Sequence, residues 1–156
     1  MFADTVPDEW IELVLDHVRK FPSTFFLFLT KNPERYHSFV DKFPKNSILG
    51  ATIETDDDNI YKGISMAPMP SKRIKDMAEL DWETKFISIE PILKFTDGFA
   101  QKIIDVKPIL VYVGYDNYNN KLPEPTLTET KSLIERLKSH TIVIEKTIRP
   151  AWYEMK

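Results

Sequence analysis

Apolar and polar positions alternate along this chain in two rhythms, one of helical period and one of short continuous runs. From Pro7 to Phe21, Trp10, Val14, Val18 and Phe21 recur at helical spacing. Pro7 suits a first turn, Asp8 and Glu9 sit at the positive helix end, and Pro22 stops the element. Thr24 to Thr30 (TFFLFLT) is an apolar run bounded by polar residues, which predicts a strand buried on both faces, as in a parallel sheet. Asn32 and Pro33 open a second helix as N-cap and first position. Tyr36, Phe39, Val40 and Phe43 form its stripe, and Pro44 ends it. Ser47 to Ile53 reads as a second strand, Asp56 to Ile64 as a short helix, and Ser71 to Leu80 as a helix after the break at Met66 to Pro70.

A third strand is predicted at Lys85 to Ile89, a short helix at Asp97 to Ile104 and a fourth strand at Pro108 to Val113. Thr126 and Glu129 fit a capping box ahead of Leu127, Ile134 and Leu137, and Thr141 to Ile144 is the fifth strand. Strands alternating with helices mean βαβ units and a parallel sheet. With right-handed crossovers the sheet is either open and doubly wound or an arc of a (β/α) barrel. No stretch resembles a linker between domains, so residues 1–156 are expected to form a single α/β domain. A closed barrel needs about eight strands. Five leave it incomplete, and the apolar run at Phe25 to Leu29 would then lie at an unprotected edge. Self-association as a homodimer would hide that edge.

Composition narrows the function classes. A net charge of −3 and a pI near 5.7 argue against nucleic acid or anionic membrane as partner. With no cysteine, the chain has no disulfide, thiolate nucleophile or cysteine-ligated cluster of its own, which agrees with a reducing, cytoplasmic setting. The longest apolar run is too short to span a bilayer. His17, His37 and His140 have no metal-ligand spacing and read as surface or boundary residues. Neither the dinucleotide fingerprint nor the P-loop pattern is present.

Ligands of parallel α/β sheets lie at the C-terminal strand ends. Every predicted strand here exits into an ionisable group: Lys31, Glu54, Glu90, Asp116, and Glu145 with Lys146. Solvated strand ends tolerate charge at no cost, so each alone says little. Together they suggest a pocket for a small polar or zwitterionic ligand. Glu90, followed by Pro91, can accept hydrogen bonds from an amine or hydroxyl, or pair with Lys31 across strand ends. Gly114 leaves room for close approach of a ligand or backbone, or is a plain turn glycine. Tyr115 and Tyr118 could stack on a base, but without a basic run beside them they read as loop cover.

These motifs also resemble a known family. Val6 to Ile11 (VPDEWI), Thr24 to Leu29, Thr30 to Arg35 (TKNPER), Leu49 and Gly50 leading to Glu54, Phe86 to Pro91 (FISIEP) and Val111 to Gly114 (VYVG) occur in matching order. Together they resemble a phage-associated protein family of unknown function grouped with radical-SAM-like barrels, over nearly the whole chain. The resemblance implies a radical-SAM-like half or three-quarter barrel, with Lys31, Glu54, Glu90 and Asp116 lining the place of S-adenosylmethionine and substrate. It also implies further N-terminal barrel strands and a cysteine segment upstream, so a partner supplying them is expected and the chain alone would be inactive. Where the family shows Gly-Gly-Glu, Gly114, Tyr115 and Asp116 stand here, and Tyr115 would crowd the backbone approach. Lys146 matches the family's lysine at the last strand. Two other readings stand beside this one: a cluster-free ligand-binding or interaction module, and an enzyme using carboxylate and lysine acid–base chemistry.

Overall fold

The computed structural model describes residues 1–155. The elements run α1 (Asp8–Val18), β1 (Phe26–Thr30), α2 (Glu34–His37), a 3-10 turn (Val40–Lys42), β2 (Ser47–Thr52), α3 (Asp58–Tyr61), α4 (Pro70–Glu79), β3 (Lys85–Ile89), α5 (Phe99–Asp105), β4 (Leu110–Val113), α6 (Leu127–Lys138) and β5 (Ile142–Glu145). All five strands form one sheet in the order β1-β2-β3-β4-β5, and every neighbouring pair is parallel. The α/β reading and the strand count hold. The sheet is open, with β1 and β5 as its edges.

Chain-order pairing with crossovers of one hand places the helices on a single face. Side chains alternate along a strand with period two, so each strand offers one set of residues to the helices and the other to the bare face. Leu49, Ala51, Ile53, Ile87, Ile89, Val111 and Val113 share the helix-side parity and are fully buried. Leu27, Leu29, Ile142 and Ile144 have the opposite parity and are exposed, Leu27 by 49% and Leu29 by 48%. The expectation that β1 is buried on both faces is therefore overturned, because no second layer covers the bare side. Within that face, the Phe86 ring lies across Gly50, where an added Cβ would come within 2.2 Å of it.

Around β1 the core is aromatic. Phe2 meets Tyr36 edge-on at 4.7 Å, and Phe28 meets Phe43 at 5.4 Å. The Tyr36 hydroxyl donates between the carbonyls of Phe28 (2.7 Å) and Gly50 (2.9 Å), stitching β1 to β2. Burial raises this phenol well above its ordinary pKa. Asn32 does not cap α2. Its amide donates to Asp4 at 2.7 Å, and Pro33 occupies the cap position without a side-chain bond.

α1 also departs from its predicted packing. Ile11, Leu15 and Val18 enter the core, whereas Trp10, Val14 and Phe21 are exposed. The helix carries two apolar stripes, and ion pairs select between them. Asp8 pairs with Arg35 and Glu12 with Lys42, while the Arg19 guanidinium donates to the Lys42 carbonyl. These contacts turn the Asp8, Glu12 and Arg19 flank toward α2 and leave the Trp10 stripe outward.

At the other end of the sheet the capping box of α6 forms as read. The Glu129 carboxylate accepts from the Thr126 N–H at 2.6 Å, and the Thr126 hydroxyl accepts from the Glu129 N–H at 3.2 Å. The tail folds back here and not over β1. Arg149 grips Glu124 through both carboxylate oxygens, and the Trp152 indole donates to Leu122.

Two carboxyls anchor loops and make the fold acid-sensitive. Burial alone would raise Asp56, but hydrogen bonds from Lys102 and Thr96 outweigh it and hold the group below its ordinary value of 3.8. Bonds from Thr126 hold Glu129 below 4.5. A depressed carboxyl stabilises the fold above its unfolded pKa, and that contribution is lost as pH falls through the lower folded value. The urea midpoint should therefore be lower at about pH 3 than at about pH 6, and Asp56→Asn should flatten part of that difference. An unchanged midpoint between the two pH values would remove the role given to these clamps.

Candidate functional site

The same period of two assembles the strand-end rim. Register at the strand ends continues through bonds from Ile53 N–H to Ser88, Gly114 N–H to Ile89 and Lys146 N–H to Val113. Glu54, Glu90, Gly114 and Lys146 thus fall in one row across β2 to β5, on the parity of the bare face. Lys31 follows Leu29 on the same parity of β1 and reaches into this row. Five of the seven residues singled out from sequence fall in this row, and Asp116 and Glu145 do not.

They form two groups. Glu54 is enclosed, its side chain only 2% exposed. One oxygen meets Lys31 Nζ at 2.5 Å and the other meets Arg73 Nη1 at 2.8 Å. Lys31 therefore pairs with Glu54 across the β1–β2 boundary and not with Glu90, since β2 lies between β1 and β3. Arg73 comes from α4, is fully buried, and also donates to the Thr52 carbonyl. Its guanidinium stacks on the Tyr61 ring at 4.6 Å. That stacking accompanies the absence of hydrogen bonds to Arg73 Nε and Nη2 and to the Tyr61 hydroxyl. A cavity of about 360 Å³ lies on the outer side of Lys31, lined also by Leu29, Asn32, Met66 and Pro68.

The second group is the available one. A Cβ built on Gly114 would stand 3.2 Å from Glu90 Oε1 and 2.9 Å from Lys146 Cβ. The glycine is required by this close approach, because Glu90 and Lys146 occupy the space its side chain would take. Neither takes part in an ion pair among the described residues, in contrast to Lys31 and Glu54. Lys146 Nζ rests over the Tyr112 ring at 4.8 Å, and Tyr112 meets Phe86 edge-on, the Phe86 ring itself being buried across Gly50. The backbone after Glu90 is pinned from above. Ile92 N–H donates to the Gly114 carbonyl and Leu93 N–H to that of Glu54, at 2.8 and 2.9 Å. The Glu90–Pro91 peptide is cis.

Asp116 stands apart. Its carboxylate accepts from the N–H groups of Tyr118 and Asn120 and from the Asn120 amide, closing its own loop. Burial opposes ionisation, but these bonds and Arg149 keep the carboxyl below its ordinary value. Tyr115 has helix-side parity and is fully buried, its hydroxyl 2.6 Å from Thr130. It packs under α6 and leaves Gly114 uncrowded, contrary to expectation, and burial pushes its pKa up to about 12. Glu145 likewise points away and pairs with Lys138 at 2.9 Å, which leaves Lys146 as the β5 member of the row. Sequence reading missed Arg73, Tyr61 and the Phe86–Tyr112 pair. Gly50 inside a strand pattern was the one available signal, since it marks a close approach.

These features define an open, parallel α/β sheet with a charged strand-end row and a second face exposed at its edge strands. The chain belongs to the family described as "Protein of unknown function (DUF5131)", whose model matches residues 1–114. No curated protein and no solved structure matches it. Among the described residues there is no helix long and apolar enough to cross a membrane, and no group of three or more metal-ligating side chains.

Removing one member of a buried ion pair leaves the other charge uncompensated, at a cost of about 3–5 kcal/mol. Arg73→Ala should therefore lower unfolding free energy by that amount in urea titration. Lys31→Ala, deleting the partner that is 41% exposed, should cost much less. Equal effects from the two would contradict the assignment of Arg73 as the structural cation.

Proposed function

We propose that this protein binds a small zwitterionic ligand at the strand-end row. Glu90 accepts hydrogen bonds from its ammonium or hydroxyl group, and Lys146 meets its anionic group. Asp116 is left to its loop and Glu54 to its enclosed pair. The observation that carries this reading is that Glu90 and Lys146, neither of them in an ion pair among the described residues, both pack against Gly114. Ligand sites commonly combine an apolar surface with a few placed polar groups, and Tyr112, under Lys146, supplies an aromatic face here.

S-adenosylmethionine is the ligand this reading favours. Its amino-acid moiety presents an ammonium and a carboxylate, and its sulfonium and adenine suit aromatic faces. The resemblance to radical-SAM-like barrels points the same way, with the sheet read as an arc of such a barrel. When bound, this cofactor supplies a reactive sulfonium, while the residues here bind and orient it. A cysteine-ligated cluster does not fit this chain's own donors, because the sequence has no cysteine. A ligand-binding module is therefore preferred to a self-sufficient radical enzyme.

Calorimetry with S-adenosylmethionine tests the proposal. Binding by the parent chain should weaken in Glu90→Gln by roughly 1.5–3 kcal/mol, the scale of a hydrogen bond to a charged group. Gly114→Val should abolish it by displacing Glu90 and Lys146, which pack against the glycine. No heat from the parent chain at about 1 mM ligand, the weak end of measurable affinity, would sink the reading. An unchanged affinity in Glu90→Gln would remove Glu90 from the site.

A further inference from the structure

We propose that the cavity beside Lys31 binds a small aliphatic carboxylic acid in its ionised form. Its parts are separate from Glu90 and Lys146, so the site stands whether or not that pair holds a ligand. Two cations, Lys31 and Arg73, share the single carboxylate of Glu54, at 2.5 and 2.8 Å. Neither meets a second acidic group within ion-pair distance among the described residues. The cluster therefore carries one positive charge in excess.

Burial decides where an anion can reach that excess. Arg73 is fully buried with its guanidinium stacked on Tyr61, and the Glu54 side chain is enclosed. Lys31 is 41% exposed and lines the cavity of about 360 Å³. Its ammonium carries three donors, and one Glu54 oxygen leaves donors to spare. An anion placed there balances the charge count without disturbing the enclosed pair beneath it.

The lining selects the rest of the ligand. Leu29, Met66 and Pro68 give it apolar surface, and Leu29 is half exposed and Met66 fully so. An aliphatic chain laid against them removes that surface from water. The unbranched Met66 side chain is free to close on the occupant. On the polar wall, the Asn32 N–H donates to the Thr30 hydroxyl at 3.0 Å and the Asn32 amide to Asp4 at 2.7 Å. Asp4 is the carboxylate of this lining. It is exposed, is not within ion-pair distance of Lys31, and so is screened by solvent. Its presence sets the tolerated charge. A phosphate group brings about −1.5 to −2 at pH 7, more than the cluster's excess, whereas a carboxylate brings one charge and balances it. The volume falls within the range of small-molecule pockets, about 300–1,000 Å³.

Titration of the full chain with hexanoate, followed by amide NMR, tests this. Saturable shifts are expected at Asn32 and Ala67, with a dissociation constant of about 1 mM or tighter. Hexanamide, of the same shape without the charge, should bind at least about tenfold more weakly, and inorganic phosphate should not saturate the site. Lys31→Met keeps the aliphatic stem and leaves Arg73 and Glu54 as a balanced pair, and it should abolish hexanoate binding. Glu90→Gln should leave it unchanged. If Lys31→Met fails to fold, Leu29→Glu decides, since a second carboxylate in the lining should weaken hexanoate about tenfold. No saturable shift at about 20 mM hexanoate, well above the expected constant, would overturn the proposal. So would equal affinity for hexanamide or phosphate, or binding that survives Lys31→Met and is lost in Glu90→Gln.

Discussion

Side-chain alternation within a parallel, chain-ordered sheet is the constraint from which the rest of this molecule follows. Each strand has one parity to give to the helices and one to give to the other face. Because all crossovers fall on one side, the helix-side parity becomes a close-packed core of Leu49, Ala51, Ile53, Ile87, Ile89, Val111 and Val113. The remaining parity is buried at the centre of the sheet, at Gly50, Thr52, Phe86 and Ser88, and exposed at its edges, at Leu27, Leu29, Ile142 and Ile144. Continued to the strand ends, the same parity delivers Glu54, Glu90, Gly114 and Lys146 in a row. Tyr115 and Glu145, each one residue out of phase, are sent to the helix side.

Within that row, burial separates structure from chemistry. Glu54 lies under Lys31 and Arg73, and both its oxygens are engaged, so it holds β2 to α4 and to β1. Such an enclosed charge repays its desolvation only while its partners stay in place. Glu90 and Lys146 differ because no opposite charge is supplied to either. Both pack against Gly114, and Lys146 is steadied by the Tyr112 face instead.

The sequence made the strands legible because each is short, apolar and bounded by proline or polar residues. Lys85 to Ile89 was located to the residue, and the Thr126–Glu129 capping box was read correctly because its signal is local. Which face of an element is covered was harder to read. The run at Thr24 to Thr30 looks the same whether one or both faces are buried, and only the absence of a covering layer distinguishes them. In α1 both stripes are apolar, so periodicity could not choose between Trp10 and Ile11, and distant ion pairs did. Arg73 had no local signature at all, because an arginine in an exposed-looking helix gives no sign of the buried carboxylate it will meet.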